Sequence, residues 1–330
     1  MNIEAHRTID IFQTLKPEWN DLLRRSYADD IFLTWEWQST WWDAYAPADA
    51  PTVLVCRDDS GQLMGIAPLF DVDGVYRIIG GEDVTDYLDL IVDATKSGAV
   101  LQAIVQYIGE QKMALDLLNI PAGSPTLTDF ADCLRSNGAA VQVSEHEVCP
   151  LIELPDKWDG YLTLLDKKQR HEVRRKLRRA IGGEEDITWY TLDETHDLED
   201  ALARFMVLMA ASDPEKADFL KDEQHVTFFK RFVRLAMANG WLQLNFLTVD
   251  GDDAAAYLNF DYNGRILVYN SGLALDDYSH LSPGIVLLAH NIKYAIENGY
   301  KVFDFLRGDE VYKYHMGGKD TVIYRLTTDS

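Results

Sequence analysis

The 330-residue sequence predicts an α/β protein of the α+β type, with mixed, mostly antiparallel sheets flanked by helices. Three observations predict it. Short apolar segments are joined by the dipeptides Asp73-Gly74, Asp250-Gly251 and Asn263-Gly264, which favour the positive φ of tight antiparallel turns. Longer segments between them carry apolar residues at helical spacing. One order of elements also occurs twice: strand, two helices, three or four antiparallel strands, helix, strand. This gives two domains, 1–153 and 154–330, the second opening with a basic helix over 166–182.

In the first half, 7–12 reads as a strand and Pro17 as the first residue of a helix, with acids in its opening turn. Thr34 caps a second helix that holds Trp35, Trp37, Trp41, Trp42 and Tyr45 and that Pro47 ends. Trp37, Trp41 and Tyr45 share one face, as core residues would. So many rings on one short helix also make Trp35 and Trp37 candidates to reach a ligand. Strands follow at 52–57, 62–71, 75–79 and 87–92, then a helix over 96–112, a strand over 114–120 and a helix over 127–137. Asp86-Tyr87 stands beside Gly80-Gly81-Glu82-Asp83, either as a solvated loop or as part of a substrate site.

Leu154-Pro155 marks the start of the second half. Past the basic helix come a strand at 187–191, helices at 198–211 and 222–239, and strands at 241–249, 254–261 and 266–272. Ser282-Pro283 opens a helix that Gly299 ends, 301–305 is an inner strand, and 321–327 closes the sheet.

Composition narrows the function. The chain is 47% hydrophobic and 26% charged, which fits a globular protein. No apolar run reaches membrane-spanning length, and the first residues lack the basic and apolar regions of a signal peptide. Cys56, Cys133 and Cys149 are odd in number and far apart, and the histidines show no ligand spacing, so neither a disulfide framework nor a metal site is expected. A cytoplasmic location fits. A net charge of −23 disfavours DNA and anionic membranes, so an anionic ligand needs a local basic site.

Two segments carry the chemistry. Phe303-Asp304-Phe305-Leu306-Arg307-Gly308-Asp309-Glu310-Val311-Tyr312-Lys313 follows a strand, so its polar groups gather at the sheet edge where open α/β sheets bind ligands. A carboxylate can serve as a general base, and a cation or phenol can face a developing oxyanion. Asp304, Asp309 and Glu310 are candidates for the first role, and Lys313 with Tyr312 for the second; Arg307 stands among them. The second segment holds eight Lys and Arg between 167 and 179 against one acid, Glu172. Arg170, Arg174 and Arg178 form a row beside an apolar edge of Val173, Leu177 and Ile181. Either the chain's own acids, such as Asp309 and Glu310, neutralise that row, or a substrate phosphate or carboxylate does. No nucleophile elbow, P-loop or dinucleotide fingerprint occurs, which speaks against a covalent intermediate on the protein and against nucleotide chemistry of those kinds.

Four segments resemble the bacterial CelD-like GNAT acyltransferases. They are Phe32-Leu33-Thr34-Trp35-Glu36-Trp37 with Trp41-Trp42, then Asp86-Tyr87-Leu88-Asp89, then the basic helix, then the stretch from Phe303 to Lys313. That group is similar in turn to the FemABX peptidoglycan transferases, which also carry two GNAT-like domains. The resemblance implies two tandem GNAT-like domains and an N-acyltransferase. Its acyl group would come from acyl-CoA, such as acetyl-CoA, and go to the amine of a sugar- or nucleotide-linked envelope or exopolysaccharide precursor. It further implies that Arg170 or Arg174 holds a substrate diphosphate and that Lys313 faces the oxyanion.

One segment departs from the family. The glycine-rich loop that cradles pyrophosphate reads His280-Leu281-Ser282-Pro283-Gly284-Ile285 here, which leaves Ser282 and Gly284 at a helix N-terminus as the cofactor contact. The alternatives are an aminoacyl-tRNA-dependent transferase of the FemABX kind, or a degenerate GNAT pair that acts as a scaffold. The expected partner is a phosphate- or carboxylate-bearing small molecule, with tRNA disfavoured, bound by a monomer or homodimer.

Overall fold

A computed structural model describes residues 1–45, 50–274 and 278–329; Pro47 lies outside them. The chain divides into two compact units, one of Met1–Val148 with the segment from Thr321 onward, the other of Cys149–Asp320.

The first unit contains β1 (Asn2–His6), β2 (Pro51–Arg57), β3 (Leu63–Val72), β4 (Val75–Ile78), β5 (Ile91–Val92), β6 (Ala114–Pro121), residues 141–148 of β7 (Val141–Glu153) and residues 321–328 of β13 (Lys319–Thr328). The strand order is β1-β2-β3-β4-β6-β13-β7, with β5 beside β3. β4 and β6 run parallel, whereas β1-β2, β2-β3, β3-β4 and β6-β13 are antiparallel. Helices α1 (Asp10–Leu23), α2 (Trp35–Tyr45), α3 (Ser97–Gln111) and α4 (Ala131–Ser136) accompany this sheet.

The start of the chain differs from the sequence expectation. The first strand is Asn2–His6, and 7–12 instead leads into α1. Ile11, Phe12, Leu15, Trp19 and Leu22 form one buried stripe at helical period, and that stripe continues through Pro17, which lies exposed inside the helix. Burial of the stripe outweighs the hydrogen bond that proline removes. At α2 the expectation holds: Thr34 Oγ1 accepts the Trp37 N–H at 3.2 Å, satisfying a donor of the first turn.

The second unit contains residues 149–153 of β7, then β8 (Ile187–Thr191), β9 (Leu242–Val249), β10 (Asp252–Tyr262), β11 (Arg265–Leu273) and β12 (Val302–Asp304), in the order β7-β12-β11-β10-β9-β8. Its helices are α5 (Trp158–Leu164), α6 (Lys167–Gly182), α7 (Leu198–Ser212), α8 (Pro214–Phe219), α9 (Glu223–Ala238), α10 (Pro283–Glu297) and α11 (Val311–His315). β11 and β12 run parallel and the remaining neighbours antiparallel. Asn263 (φ 49°) and Gly264 (φ 70°) make the β10–β11 turn, both left-handed as a two-residue hairpin requires.

Side chains of the central strands alternate between two apolar layers. Ala255 and Tyr257 of β10, with Ile266 and Val268 of β11, join a core built with α5, α6 and α10. Phe260 and Tyr269 meet aromatic residues of α9, with Phe232 edge-on to Phe260 at 5.3 Å. Gly272 permits the close approach of β11 to α7, because a Cβ there would stand 2.5 Å from the Met209 amide nitrogen. Helix α6 begins at Asp166, whose Oδ1 accepts the Gln169 N–H at 2.8 Å. Its docked edge is Val173, Leu177 and Ala180, while Ile181 is 75% exposed, which corrects the expected edge. A step of three residues after Leu177 follows the 3.6 period more closely than two successive steps of four.

Candidate functional site

The parallel pair β11–β12 opens. Only Arg265, Ile266 and Leu267 pair with Val302, Phe303 and Asp304. Beyond them β11 continues to Leu273, while the other chain turns away and exposes a strand edge whose backbone groups need other partners. β11 also carries a bulge: Leu258 pairs with Asn270 and Asn259 with Val268, so Tyr269 is the extra residue. Bulges re-aim side chains and are over-represented next to active sites. The amine of Lys216, from α8, covers part of the open edge by donating to Ser271 O at 2.7 Å and to Ser271 Oγ at 3.2 Å. Ser271 stands across the ladder from Tyr257.

The chain after β12 makes a strained turn. Leu306 is buried and left-handed (φ 58°), a conformation that costs a branched side chain about 1–2 kcal/mol. Asp304 Oδ1 accepts the Leu306 N–H at 2.8 Å. Lys313 Nζ donates to the carbonyls of Leu306 (3.1 Å), Arg307 (2.7 Å) and Gly308 (3.1 Å), and lies 2.8 Å from Glu310 Oε2. Lys313 is 2% exposed, so its ammonium is a knot inside the turn. Asp309 and Glu310 are exposed at the surface of that turn.

The electrostatics bind these pieces together. Burial, then the neighbouring Tyr257 and Glu310, push the Tyr312 phenol well above its usual range. Burial also raises Tyr257. Lys216 is lowered, first by burial and also by Lys313, against the opposing pull of Asp213 and Glu310. Tyr312 is thus within electrostatic reach of Tyr257 and Glu310, and Lys216 of Glu310 and Lys313, although these residues come from four separate elements.

The arginine row divides by role. Arg170 turns back to the carbonyls of Thr163 and Leu165, at 3.3 and 3.0 Å, and ties α6 to α5. Arg174 and Arg178 are exposed, and among the described residues no carboxylate pairs with either. Arg179 donates to His280 O at 3.0 Å, just before α10. At the start of α10, Pro283 has no N–H, and the amides of Ile285 and Val286 both return to Ser282 O at 3.1 Å. Ser282 (φ 56°) makes no side-chain cap, and Gly284 packs against Leu273. Gly284 alone has an uncommitted N–H in this turn among the described residues, so the turn does not form an amide cradle for pyrophosphate. Among the described residues, no group of three or more His, Cys, Asp or Glu could hold a metal ion.

Residues 167–314, most of the second unit, match the family model described as an acetyltransferase (GNAT) domain. The second unit is a GNAT acetyltransferase domain. This domain marks an acyltransferase. Its fold is similar to that of FemX (TM-score 0.69, 13% identity, covering 99% of this chain and 97% of that one). It is also similar to a tandem GNAT protein from the clavulanic acid biosynthesis pathway (TM-score 0.51, 14% identity, 99% and 98% covered). A third similar structure is the C-terminal domain of a putative lysylphosphatidylglycerol synthetase from Agrobacterium fabrum (TM-score 0.59, 11% identity, 97% and 92% covered). A comparison with curated protein sequences finds no match.

The first GNAT-like unit has its own opening parallel pair. Val75 and Tyr76 of β4 pair with Ala114 and Leu115 of β6 before the strands part around a pocket lined by Arg77, Ile78, Asp116 and Leu118. Buried Asp116 takes Arg325 at 2.7 and 3.1 Å and Arg77 at 3.3 Å, so this opening holds an internal ion cluster. The tryptophans singled out from the sequence are core. Trp35 Nε1 donates to Phe12 O at 2.7 Å and Trp37 Nε1 to Thr85 Oγ1 at 2.9 Å. Tyr87 is buried and Asp86 half-buried. The structure therefore gathers Asp304, Arg307, Asp309, Glu310, Tyr312 and Lys313 in one turn of the GNAT domain, while Trp35, Trp37, Asp86 and Tyr87 belong to the other unit. Lys216, Ser271 and Tyr257 were not legible locally: one reads as a surface helix lysine, the others as ordinary strand residues.

Asp89 yields a stability prediction. It is buried, with Ser124 Oγ and Thr126 Oγ1 each at 2.5 Å and the Leu90 N–H at 2.8 Å, and burial pushes its carboxyl up to about 6. A carboxyl raised in the folded state contributes stability that is full below its unfolded value and lost as pH rises through the folded one. Between pH 4 and pH 7 the wild type should lose ~2–3 kcal/mol relative to Asp89→Asn, read by urea unfolding at both pH values. Parallel pH profiles for the two proteins would remove this assignment.

Proposed function

We propose that the GNAT domain transfers an acyl group directly from an acyl-CoA, such as acetyl-CoA, to the amine of an anionic acceptor. The reaction would occur in the opening between β11 and the turn from Phe305 to Lys313. The observation that carries the reading is that opening: a parallel pair that splits after three residues, with Tyr257, Glu310 and Tyr312 clustered at the split. Glu310 takes the proton of the attacking amine, with Asp309 beside it on the same exposed turn. Asp304 and Lys313 shape the turn, Arg307 and Tyr312 line it, and Arg174 with Arg178 receives a phosphate or carboxylate of the acceptor. A sugar- or nucleotide-linked envelope or exopolysaccharide precursor fits that chemistry, because it combines an amine with a diphosphate or carboxylate. The pyrophosphate of the donor would approach the Ser282–Gly284 turn.

Calorimetric titration with acetyl-CoA tests this. We expect saturable binding at micromolar concentration, weakened at least about tenfold by Gly284→Trp and unchanged by Arg174→Ala. The absence of binding would overturn acyl-CoA as donor.

One observation favours a second reading. The start of α10 offers a single uncommitted amide, which suits a donor held by means other than a pyrophosphate cradle. The FemABX resemblance then points to an aminoacyl group carried by tRNA. Arg174→Ala with Arg178→Ala would abolish tRNA binding under that reading, and unchanged tRNA binding by the double variant would rule it out.

A further inference from the structure

Acyl transfer to an amine places negative charge on the carbonyl oxygen, and a pre-positioned N–H aimed at that oxygen lowers the barrier. The resemblance would give this task to Lys313. An ammonium has three N–H groups. Those of Lys313 face three carbonyls and Glu310, all within 3.1 Å, and the side chain is 2% exposed. To reach a substrate it would have to release the carbonyl of left-handed Leu306, and the turn would lose its support.

A second ammonium stands at the same opening. Lys216 Nζ is bonded to Ser271 O and Ser271 Oγ, two acceptors for three N–H groups, and among the described residues the third has none. Ser271 lies beyond the last residue of β11 that pairs with β12, so the amine sits on the exposed edge of that strand. The charged groups within reach are Asp213 at the start of its own helix, and Glu310 and Lys313 on the turn. A half-buried cation on the open strand edge, within electrostatic reach of Glu310 and with one hydrogen to give, meets the requirement that Lys313 does not.

We propose that Lys216 is the catalytic cation of this GNAT domain: its third N–H donates to the acyl oxygen as that oxygen becomes negative, Ser271 fixes the amine, and Lys313 is a positioning residue that holds Glu310. The proposal rests on the acyl-transfer reading above. In the step, the acceptor nitrogen attacks the thioester carbonyl and a C–N bond forms. The carbonyl electron pair moves onto the oxygen, under the Lys216 hydrogen bond. Collapse breaks the C–S bond, and the proton lost by the amine passes through Glu310 to the leaving thiolate, so no net proton is consumed.

The test has two readouts on the full chain. Competitive labelling with acetic anhydride, located by mass spectrometry, follows the Lys216 amine across pH. We expect half-titration below that of N-acetyl-lysine amide run alongside, and protection by saturating acetyl-CoA. A Lys216 that titrates with the free compound and stays unprotected overturns the proposal whatever the turnover. In acetyl transfer from acetyl-CoA to a panel of amino sugars, Lys216→Met should lose ~10²–10³-fold in kcat, as removal of one oxyanion donor does elsewhere. KM for acetyl-CoA should move by less than about threefold, since the lost interaction forms only in the transition state. Lys216→Arg should recover most of that kcat and shift the alkaline fall in rate to higher pH. A Lys216→Met enzyme with wild-type kcat overturns the role of Lys216 alone. A wild-type chain that transfers from no acyl thioester overturns the acyl-CoA reading, and this proposal with it.

Discussion

Lys313→Met should destabilise the GNAT domain by ~3–5 kcal/mol, the scale seen when one partner of a buried charged network is removed. Methionine fills similar space but donates nothing. The carbonyls of Leu306, Arg307 and Gly308 would lose their shared donor, and Glu310 its partner. Each buried carbonyl left without a donor costs about 1–3 kcal/mol. Leu306 would then sit in a left-handed conformation with only the Asp304 carboxylate to hold it. Because the chain has two compact units, a single unfolding midpoint is a poor probe. Hydrogen exchange at residues 303–314 is the sharper one, and protection there should fall far more than in β9 and β10. Protection equal to wild type would show that the turn holds itself and that Lys313 is available for chemistry.

Glu310→Gln should lower kcat for acyl transfer by ~10²–10⁴-fold, the usual contribution of a general base. The amide is isosteric and its oxygen still accepts from Lys313, so the turn should keep its shape and KM should change little. Asp309→Asn, on the same exposed turn, is the matched control and should cost less than about tenfold. If the two effects are reversed, Asp309 is the base. If neither variant slows turnover, the acceptor amine arrives deprotonated and needs no carboxylate.

Local chemistry made part of this molecule legible. Asn263-Gly264 specified a left-handed hairpin turn and Thr34 specified a helix start; each needs only neighbours in sequence. The turn at 303–313 was also visible, because its polar residues cluster within one short stretch. The remainder depends on distant partners. Nothing near Lys216 announces that its amine meets Ser271, 55 residues away. The pattern of 7–12 alternates like a strand, but burial of Ile11, Phe12, Leu15 and Trp19 on one stripe decides for helix. Lys313 reads as a cation ready for a substrate; only the folded turn reveals three carbonyls already around it.

The strand from Lys319 to Thr328 has a consequence for how the protein is made. Residues 321–328 supply the neighbour of β6, so the first unit needs a piece that the ribosome produces only after the whole second unit. During synthesis, at about 5–20 residues per second, β6 must wait with one edge unpaired while some 200 further residues emerge. For that interval the nascent chain carries an open strand edge, a template for pairing with the wrong chain. The GNAT domain, whose residues are contiguous, can close first.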